Sequence, residues 1–452
     1  MSAYGTSQCG NIKEVRLLFL CGWPEEKQKL FHYKGISAED GIPGKGELMN
    51  QVQKITEDMY WIGGNDFTTE RFENLFPIPH GVTYNSYFID DDRTAVVDTV
   101  DSVIRDRFLE NVDHLLHGRP LSYIIVNHME PDHCGSLLAL AEKYPSARIV
   151  GNSQTFRFFE QFYHCPMKDR YLSMTEQEAL PLGHHSLRFV AAPMVHWPEV
   201  TMTYDETDHI LFSADCFGTF GVLGGNLFAD QMDYKERYLS EARRYYANII
   251  GKFGMQAGAL LKKLRALPIS MVAPLHGPVF RKAGDIQLIM DSISRWAAWI
   301  PEKQSVLILE ASAYGRTAEA GESMAFALAS RGICDIKITD LARTDFSYAL
   351  GDVFQYRGLV LAAPTYNMSL YPPMQYFLEK LTALPVRNRL AAVIGNHTWG
   401  SAAVRKMEGY VGQWKSCELV GNHVDIRSSE DRHDREAIEG LAGLMADRIL
   451  GN

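Results

Sequence analysis

The segment His128-Met129-Glu130-Pro131-Asp132-His133 places two imidazoles and two carboxylates directly after an apolar stretch. Further potential ligands follow at His196, Asp215 and His276, each after an apolar stretch that is predicted to be a β-strand. Strand ends are where α/β folds display chemical groups. Two metal ions could each take three protein ligands, with one carboxylate left to bridge, from the set His128, Glu130, Asp132, His133, His196, Asp215 and His276.

The types of these ligands restrict the metal. None of the seven candidates is a thiolate, which disfavours soft ions, and imidazole with carboxylate suits iron or manganese as well as zinc. Three carboxylates against two divalent ions help to stabilise a higher oxidation state, so iron redox chemistry is reasonable. The alternative interpretation is that the candidates are unrelated surface or helix-capping residues.

Three loops in the second half of the chain are predicted to follow strands and to form a flavin site. Hydroxyls, a glycine and a helix N-terminus in the first loop suit a phosphate group. Two aromatic side chains in the other loops offer flat faces to a ring system, although two aromatics capping the core would look the same. The loops are Ser312, Ala313, Tyr314, Gly315, Arg316 and Thr317, then Pro364, Thr365, Tyr366 and Asn367, then Asn396, His397, Thr398, Trp399 and Gly400.

Two predicted strands and a polar turn precede the metal motif. The stretches Tyr84–Asp90 and Thr94–Asp98 read as a hairpin, and a helix is plausible over residues 103–116. A long helical region is predicted for residues 233–267, with a break near residues 251–258. The part of the chain up to residue 300 is therefore mixed strand and helix.

Beyond Pro301, strands and helices alternate regularly, which is typical of a doubly wound parallel sheet. We predict three parts: residues 1–50 as an N-terminal extension, 51–300 as the metal domain and 301–452 as the flavin domain. The predicted strands are 305–311, 335–339, 358–362, 389–394 and 418–425, and the predicted helices are 317–330, 374–384, 402–411 and 435–449.

Composition excludes several classes of protein. The 452 residues carry a formal net charge of −10, which disfavours nucleic-acid binding because a phosphate partner needs a basic surface. The seven cysteines contain no CxxC pair, so no disulfide framework is expected and a reducing cytoplasm fits. No stretch approaches the roughly 20 apolar residues of a membrane span. No GxGxxG fingerprint follows a strand, so direct NAD(P)H binding is not expected.

The HxExDH motif with its three later ligands resembles the metal-binding pattern of the metallo-β-lactamase superfamily. The hydrolases of that superfamily typically show HxHxDH, and Glu130 stands here in place of the second histidine. This replacement is similar to the pattern of the flavodi-iron proteins, also called A-type flavoproteins. Flanking segments agree with that resemblance, which covers about residue 50 to the C-terminus: 81–87, 211–215, 217–218, 244–249 and 276–278.

The resemblance implies an N-terminal metallo-β-lactamase-like αββα sandwich followed by a flavodoxin-like doubly wound sheet that binds FMN. It also implies a di-iron centre in which Asp215 bridges. His80 would lie close by, either in a catalytic role as a contact to the bound gas or packed beside the pocket. Relatives often carry small residues where this chain has His397, Ser401 and Ala402, which leaves the tuning of the flavin open. One iron would take His128, Glu130 and His196, and the other Asp132, His133 and His276.

The activity that the resemblance implies is reduction of dioxygen to water, of nitric oxide to nitrous oxide, or of both. Electrons would enter through FMN from rubredoxin or a similar carrier, and a head-to-tail homodimer or a dimer of dimers would bring one subunit's flavin near the other's irons. Two alternatives are a zinc-dependent hydrolase with an appended flavodoxin-like domain and a non-catalytic electron carrier. Glu130 and the flavin loops argue against the hydrolase, and the complete ligand set argues against the carrier.

Overall fold

Two β-sheets face each other in the first part of the computed structural model, which describes residues 50–451. The strands of this part are β1 (Gln53–Lys54), β2 (Met59–Trp61), β3 (Gly64–Asp66), β4 (Arg71–Phe72), β5 (Phe76–Pro77), β6 (Val82–Tyr84), β7 (Tyr87–Ile89), β8 (Ala95–Val97), β9 (Tyr123–Ile125), β10 (Arg148–Gly151), β11 (Tyr171–Ser173), β12 (Ala179–Pro181), β13 (Ser186–Ala191), β14 (Thr201–Asp205), β15 (Ile210–Phe212) and β16 (Met271–Ala273). The helices are α1 (Arg105–Leu116), α2 (Pro131–Cys134), α3 (Leu137–Lys143), α4 (Ser153–Tyr163), α5 (Tyr234–Arg237), α6 (Leu239–Tyr245), α7 (Gly254–Leu264) and α8 (Ala283–Ala297).

The first sheet has the strand order β1-β2-β7-β8-β9-β10-β11, and the second has β12-β13-β14-β15-β16. Alternate residues of a strand point to opposite faces, so Tyr87 and Phe88 belong to different cores. Tyr87 packs with Phe212 of the second sheet in the apolar layer between the sheets. Phe88 and Leu211 belong to the core that covers the outer faces, together with helix residues. The result is four layers: helix, sheet, sheet, helix.

The long helical region predicted for residues 233–267 is confirmed, but its interruption lies over residues 246–253 and not at 251–258. After α5 and α6 come a π-helical turn at Tyr246–Ile250 and a 3₁₀ turn at Gly251–Phe253, and α7 then starts at Gly254. The predicted hairpin also exists, but its first strand is interrupted between β6 and β7. Asn85 lies in that interruption. Its backbone N–H donates to the carbonyl of Leu275 and not to a neighbouring strand.

The second part contains a parallel sheet with the order β18-β17-β19-β21-β22, to which β23 pairs through β21 and β20 through β19. Its strands are β17 (Lys303–Glu310), β18 (Lys337–Asp340), β19 (Tyr356–Tyr366), β20 (Ser369–Leu370), β21 (Leu390–His397), β22 (Glu418–Leu419) and β23 (Val424–Arg427). Its helices are α9 (Arg316–Ala329), α10 (Phe346–Gln355), α11 (Pro372–Thr382), α12 (Ala403–Val411) and α13 (Arg432–Leu450). Helices cover both faces, so the predicted doubly wound sheet is confirmed.

The structure of this part differs from the prediction in two respects. Residues 418–425 are not one strand, because Gly421 adopts a left-handed φ of 61° and separates β22 from β23. Helix α10 was not predicted. The predicted extension, residues 1–50, lies outside the described residues except for Asn50. The five cysteines of the described range are free thiols, and none of the helices in that range combines the length and apolarity needed to cross a bilayer.

Arg244 joins the two parts. This buried side chain on α6 donates to the carbonyl of Pro77 in the first part and to the hydroxyl of Ser347 on α10 in the second. Its guanidinium also lies 4.4 Å from the ring centre of Phe220 and 4.1 Å from that of Tyr348. A buried cation between two rings with hydrogen bonds to both parts fixes their relative placement.

We expect Arg244→Met to lower the free energy of unfolding by about 3 kcal/mol, because the variant leaves buried acceptors without a donor. Urea unfolding followed by circular dichroism measures the change. Arg237→Met, at an exposed position on the neighbouring helix α5, is the control and should change stability by less than about 0.5 kcal/mol. If the two variants were equally stable, Arg244 would not be needed to hold the two parts together.

Candidate metal centre

The seven predicted ligands come together at one end of the sandwich. Strands β9, β15 and β16 end there and are followed by the segment 128–133, by Asp215 and by His276. The short helix α2 begins with Pro131 at its first position, where the missing N–H costs nothing, and carries Asp132 and His133. His196 lies in the loop between β13 and β14.

The ligand atoms form two groups. The first consists of His128, Glu130, His196 and Asp215, and the second of Asp132, His133 and His276. In the first group Nε2 of His196 lies 3.0 Å from a Glu130 oxygen. In the second group Nε2 of His276 lies 3.2 Å from Asp132 Oδ2. Two donors bound to the same ion at about 2.1 Å lie roughly 3.0–3.4 Å apart, so these separations suit shared metal ions.

Asp215 faces both groups through different oxygens. Its Oδ2 lies 3.4 Å from Nε2 of His128 and 3.3 Å from Nε2 of His196. Its Oδ1 lies 3.1 Å from Nε2 of His133 and 3.5 Å from Nε2 of His276. A carboxylate in this position can bridge two metal ions.

The hydrogen bonding of the buried ligand atoms fits a metal pair. The Nε2 atoms of all four histidines and both oxygens of Asp215 and Asp132 are buried without a hydrogen-bond partner. Buried polar atoms are rarely left in this state unless an ion satisfies them. Imidazole and carboxylate donors, with no thiolate among them, suit iron.

The carboxylates and imidazoles of the site stabilise each other's charged forms. Burial alone would raise the pKa of Asp215, but the surrounding imidazoles outweigh burial and hold that pKa well below its ordinary value. For His133 burial opposes the charged form, and the carboxylates of Asp132 and Asp215 raise its pKa to about 10. The carboxylates therefore stay ionised, and a bound cation would take the place of the protons that the imidazoles otherwise carry.

Three polar groups that the sequence analysis did not identify orient the ligands. Glu199 is fully buried, and its Oε1 lies 2.7 Å from Nδ1 of His128, which turns Nε2 towards the site. The backbone carbonyl of Thr83 holds Nδ1 of His276 at 2.6 Å in the same way. Asp98 accepts the backbone N–H groups of Asn127 and His128 and so fixes the start of the motif loop.

We expect Glu199→Gln to weaken iron binding about tenfold, because the amide keeps the shape of the carboxylate but loses its charge behind His128. Iron retention against increasing chelator concentrations measures this effect. Glu142→Gln, on the exposed side of α3, is the matched control. Unchanged retention in Glu199→Gln would show that orientation alone matters.

A cavity of about 360 Å³ lies against Glu130 and Asp132 and is large enough for diatomic molecules. Tyr84, Asp101 and Glu73 are among its lining residues. Partial burial and the nearby charge of Glu130 raise the pKa of Glu73 to about 8. Glu73 lies in the turn between β4 and β5 and was not identified from the sequence, because turn glutamates are common.

His80, which the resemblance places near the centre, is exposed in this structure. It is not among the residues that line the cavity, and its backbone carbonyl accepts the N–H of Val222. A catalytic role of His80 stays a prediction.

The first predicted flavin loop follows β17, but the other two begin within strands, since residues 364–366 are the end of β19 and residues 396–397 the end of β21. Because β17, β19 and β21 are neighbours in the parallel sheet, all three segments lie at one edge. In the first loop Gly315 has a φ of 91°, and its N–H donates to the Ser312 hydroxyl just before α9 begins. The hydroxyl of Thr365 accepts the backbone N–H groups of Ala402 and Ala403, which ties the second loop to the start of α12.

Exposed aromatic rings and a helix N-terminus suit FMN at this edge. Trp399 is 87% exposed, Tyr314 is 96% exposed and Tyr366 is 47% exposed, which is unusual for such large rings. The second and third loops pack closely, since a Cβ at Gly400 would lie 2.7 Å from the sulfur of Met368. A flat ring system could stack on these faces with its phosphate at the N-terminus of α9.

The His397 side chain contacts a carboxylate of its own sheet. Its Nδ1 lies 3.1 Å from Oδ1 of Asp425 on the neighbouring strand β23, and its side chain is half-buried. That nitrogen is engaged by a carboxylate, which leaves Nε2 as the polar atom for any contact with a flavin.

Comparison with known proteins identifies relatives over most of the described chain. A family model described as "ODP family beta lactamase" matches residues 82–277. A protein named nitric oxide reductase from Moorella thermoacetica is 30% identical over 366 residues, which cover 80% of this chain and 89% of that protein. A protein named anaerobic nitric oxide reductase flavorubredoxin from Aliivibrio salmonicida is 32% identical over 363 residues, which cover 78% of this chain and 70% of that protein.

Solved structures share the fold. Rubredoxin oxygen:oxidoreductase from Desulfovibrio gigas superposes with a TM-score of 0.83 at 22% identity, covering 89% of this chain and 99% of that one. The flavodiiron protein from Giardia intestinalis gives a TM-score of 0.82 at 24% identity, covering 89% and 97%. The predicted fold class, an αββα sandwich followed by a flavodoxin-like sheet, is confirmed.

Proposed function

We propose that this chain, which belongs to the flavodi-iron protein family, reduces dioxygen to water, nitric oxide to nitrous oxide, or both. The observation that carries the proposal is Asp215, whose two oxygens face two separate ligand groups at 3.1–3.5 Å. A pair of ions at adjacent positions is what coupling or cleavage of diatomic gases requires, and the cavity beside Glu130 and Asp132 gives small molecules access.

The residues proposed to hold the irons are those of the two groups. His128, Glu130 and His196 would bind one ion, and Asp132, His133 and His276 would bind the other, with Asp215 between them. When bound, the irons supply open coordination positions and electrons for the gas, and FMN accepts electrons in pairs and releases them singly.

The chain's own groups prepare this chemistry. Glu199 and the Thr83 carbonyl fix the orientation of His128 and His276, so the ligands need not reorganise when an ion binds. Tyr84 and Phe72 contribute aromatic rings to the cavity wall. Glu73 places a carboxyl at the same cavity, where protons that the reduction consumes must enter.

The flavin loops are proposed to bind FMN, and the part from residue 301 onwards is proposed to be its domain. No residue beyond 300 is among those lining the cavity at the metal centre in the described chain. A head-to-tail homodimer, in which one subunit's flavin serves the other's irons, is proposed from the resemblance to flavodi-iron proteins. Rubredoxin or a similar carrier is proposed as the electron donor, and the cytoplasm as the location.

The test is anaerobic reduction of the purified protein followed by separate rapid mixing with each gas. Metal and flavin analysis should first give two irons and one FMN per chain, and flavin reoxidation is then followed by visible absorbance. We expect reoxidation with at least one gas. Zinc without flavin would refute the proposal and favour the hydrolase. A reduced flavin that neither gas reoxidises would also refute the proposal and would favour the electron carrier.

A further inference from the structure

A second cluster of ligand-type side chains lies at the end of the sandwich opposite the metal centre. The turns that follow β1, β12 and β14 meet there, since these strands run with their carboxyl ends away from the iron ligands. They bring together Asp58, His184, His185 and Asp205. Ligand atoms of Asp58, His184 and His185 lie within 4.8 Å of one another.

The burial and hydrogen bonding of His185 resemble those of a metal-binding histidine. It is 1% exposed, and its Nδ1 lies 3.2 Å from Oδ2 of Asp205, which is itself fully buried. Asp205 is fixed in turn by the backbone N–H of Asp208 at 2.8 Å. This arrangement directs Nε2 of His185 towards Oδ2 of Asp58 at 3.1 Å.

The buried Nε2 of His185 has no hydrogen bond of acceptable geometry. Within residues 50–451 five histidines bury an Nε2 in this state, and the other four are the predicted iron ligands, His128, His133, His196 and His276. The pair His185–Asp205 also repeats the pair His128–Glu199, in which a buried carboxylate holds Nδ1 and leaves Nε2 for an ion.

The backbone presents the neighbouring histidine to the same place. Both oxygens of Asp91 are used, one accepting the N–H of His184 at 3.0 Å and the other that of His185 at 2.7 Å. The two imidazole rings lie 5.0 Å apart. His184 and Asp58 are partly accessible to solvent, so an ion could enter without unfolding of the turn.

We propose that Asp58, His184 and His185 bind a zinc-type divalent cation, with water completing the coordination. Two imidazoles and one carboxylate are a donor set that suits zinc, and the site has no thiolate that would select a softer ion. The carboxylates of Asp58 and Asp205 balance the double charge. This site is separate from the proposed gas chemistry, and its binding does not depend on that activity.

The electrostatics of His185 agree with the geometry. Burial lowers the pKa of its imidazole, but the carboxylates of Asp205 and Asp58 outweigh burial and raise the pKa to about 9. These carboxylates therefore stabilise a positive charge beside the ring, and a bound cation would take the place of that proton. Because Asp58 precedes β2 of the first sheet and His184 and His185 precede β13 of the second, the ion would link the two sheets.

The test uses the full chain loaded with iron and FMN. Zinc is added in small excess, unbound metal is removed, and zinc and iron are measured together, with Co²⁺ absorption as a second probe of the ligand field. We expect one additional zinc per chain without loss of iron, and a higher thermal unfolding midpoint. His184→Asn and Asp58→Asn should lower the affinity for zinc at least about tenfold.

Both variants change side chains with solvent access, so the fold should tolerate them better than a change of the buried His185. His114→Asn, at an exposed histidine on α1, is the control and should keep the additional zinc. The proposal is overturned if the wild-type chain takes up no additional zinc, if zinc enters only as iron leaves, or if the two variants bind zinc as tightly as the control.

Discussion

A His276→Asn variant is expected to lose the iron of one ligand group and to reduce either gas at least about 100-fold more slowly than the wild-type chain, while retaining FMN. His276 supplies Nε2 at 3.2 Å from Asp132 and 3.5 Å from Asp215, and the shorter Asn side chain cannot reach the same point. The remaining ligands, Asp132, His133 and the shared Asp215, then hold the ion without their second imidazole.

Iron content, FMN content and single-turnover flavin reoxidation should be measured on the same preparation. His164→Asn is a fitting control, because His164 is exposed and ends α4 with a φ of 50°, a conformation that Asn tolerates well. Near-normal iron content and turnover in His276→Asn would exclude this residue as a ligand. Simultaneous loss of FMN would instead indicate a general folding defect.

The sequence could predict the ligand set because the ligands are concentrated. Four of the seven lie within six residues, and the remaining three follow apolar strands whose ends meet. Glu199 could not be found in this way, although it lies three residues after His196. Its role depends on the fold, which brings its oxygen to Nδ1 of His128 across 71 positions of sequence.

Helix α10 was missed for a related reason. Its sequence contains Gly351 and Asp352, which have low helix propensity, so the local signal is weak. In the fold Gly351 lies against Arg244, where a Cβ would stand 3.1 Å from the Arg244 Cα. The glycine that weakens the local signal therefore permits close packing of α10 on α6, and tertiary contact outweighs propensity.

The split of residues 418–425 has a similar origin. The apolar residues around Val420 resemble one strand, but β22 pairs with the start of β21 and β23 with its end. Gly421 allows the chain to leave the sheet and return. Periodicity alone does not reveal such a departure, because the apolar residues Val420 and Val424 stand on both sides of residues 421–423.

Gly315→Val should weaken FMN binding about ten- to one hundred-fold and leave both irons in place. Gly315 has a φ of 91°, which costs a β-branched residue about 1–3 kcal/mol, and each 1.4 kcal/mol is tenfold in affinity. Relief of this strain would move the loop at the start of α9 away from the conformation that presents its N–H groups to phosphate. Nothing lies within 4 Å of a Cβ at this position, so crowding is not the cause.

Gly332→Val provides the matched control for this change. Gly332 follows the other end of α9, has a φ of 87° and is also open to solvent, so the same strain arises far from the flavin loops. FMN titration followed by fluorescence should separate the two variants, with Gly332→Val binding FMN as the wild-type chain does. Equal loss of affinity in both would mean that the effect is general destabilisation of α9. Normal affinity in both would place the phosphate elsewhere than at the Gly315 loop.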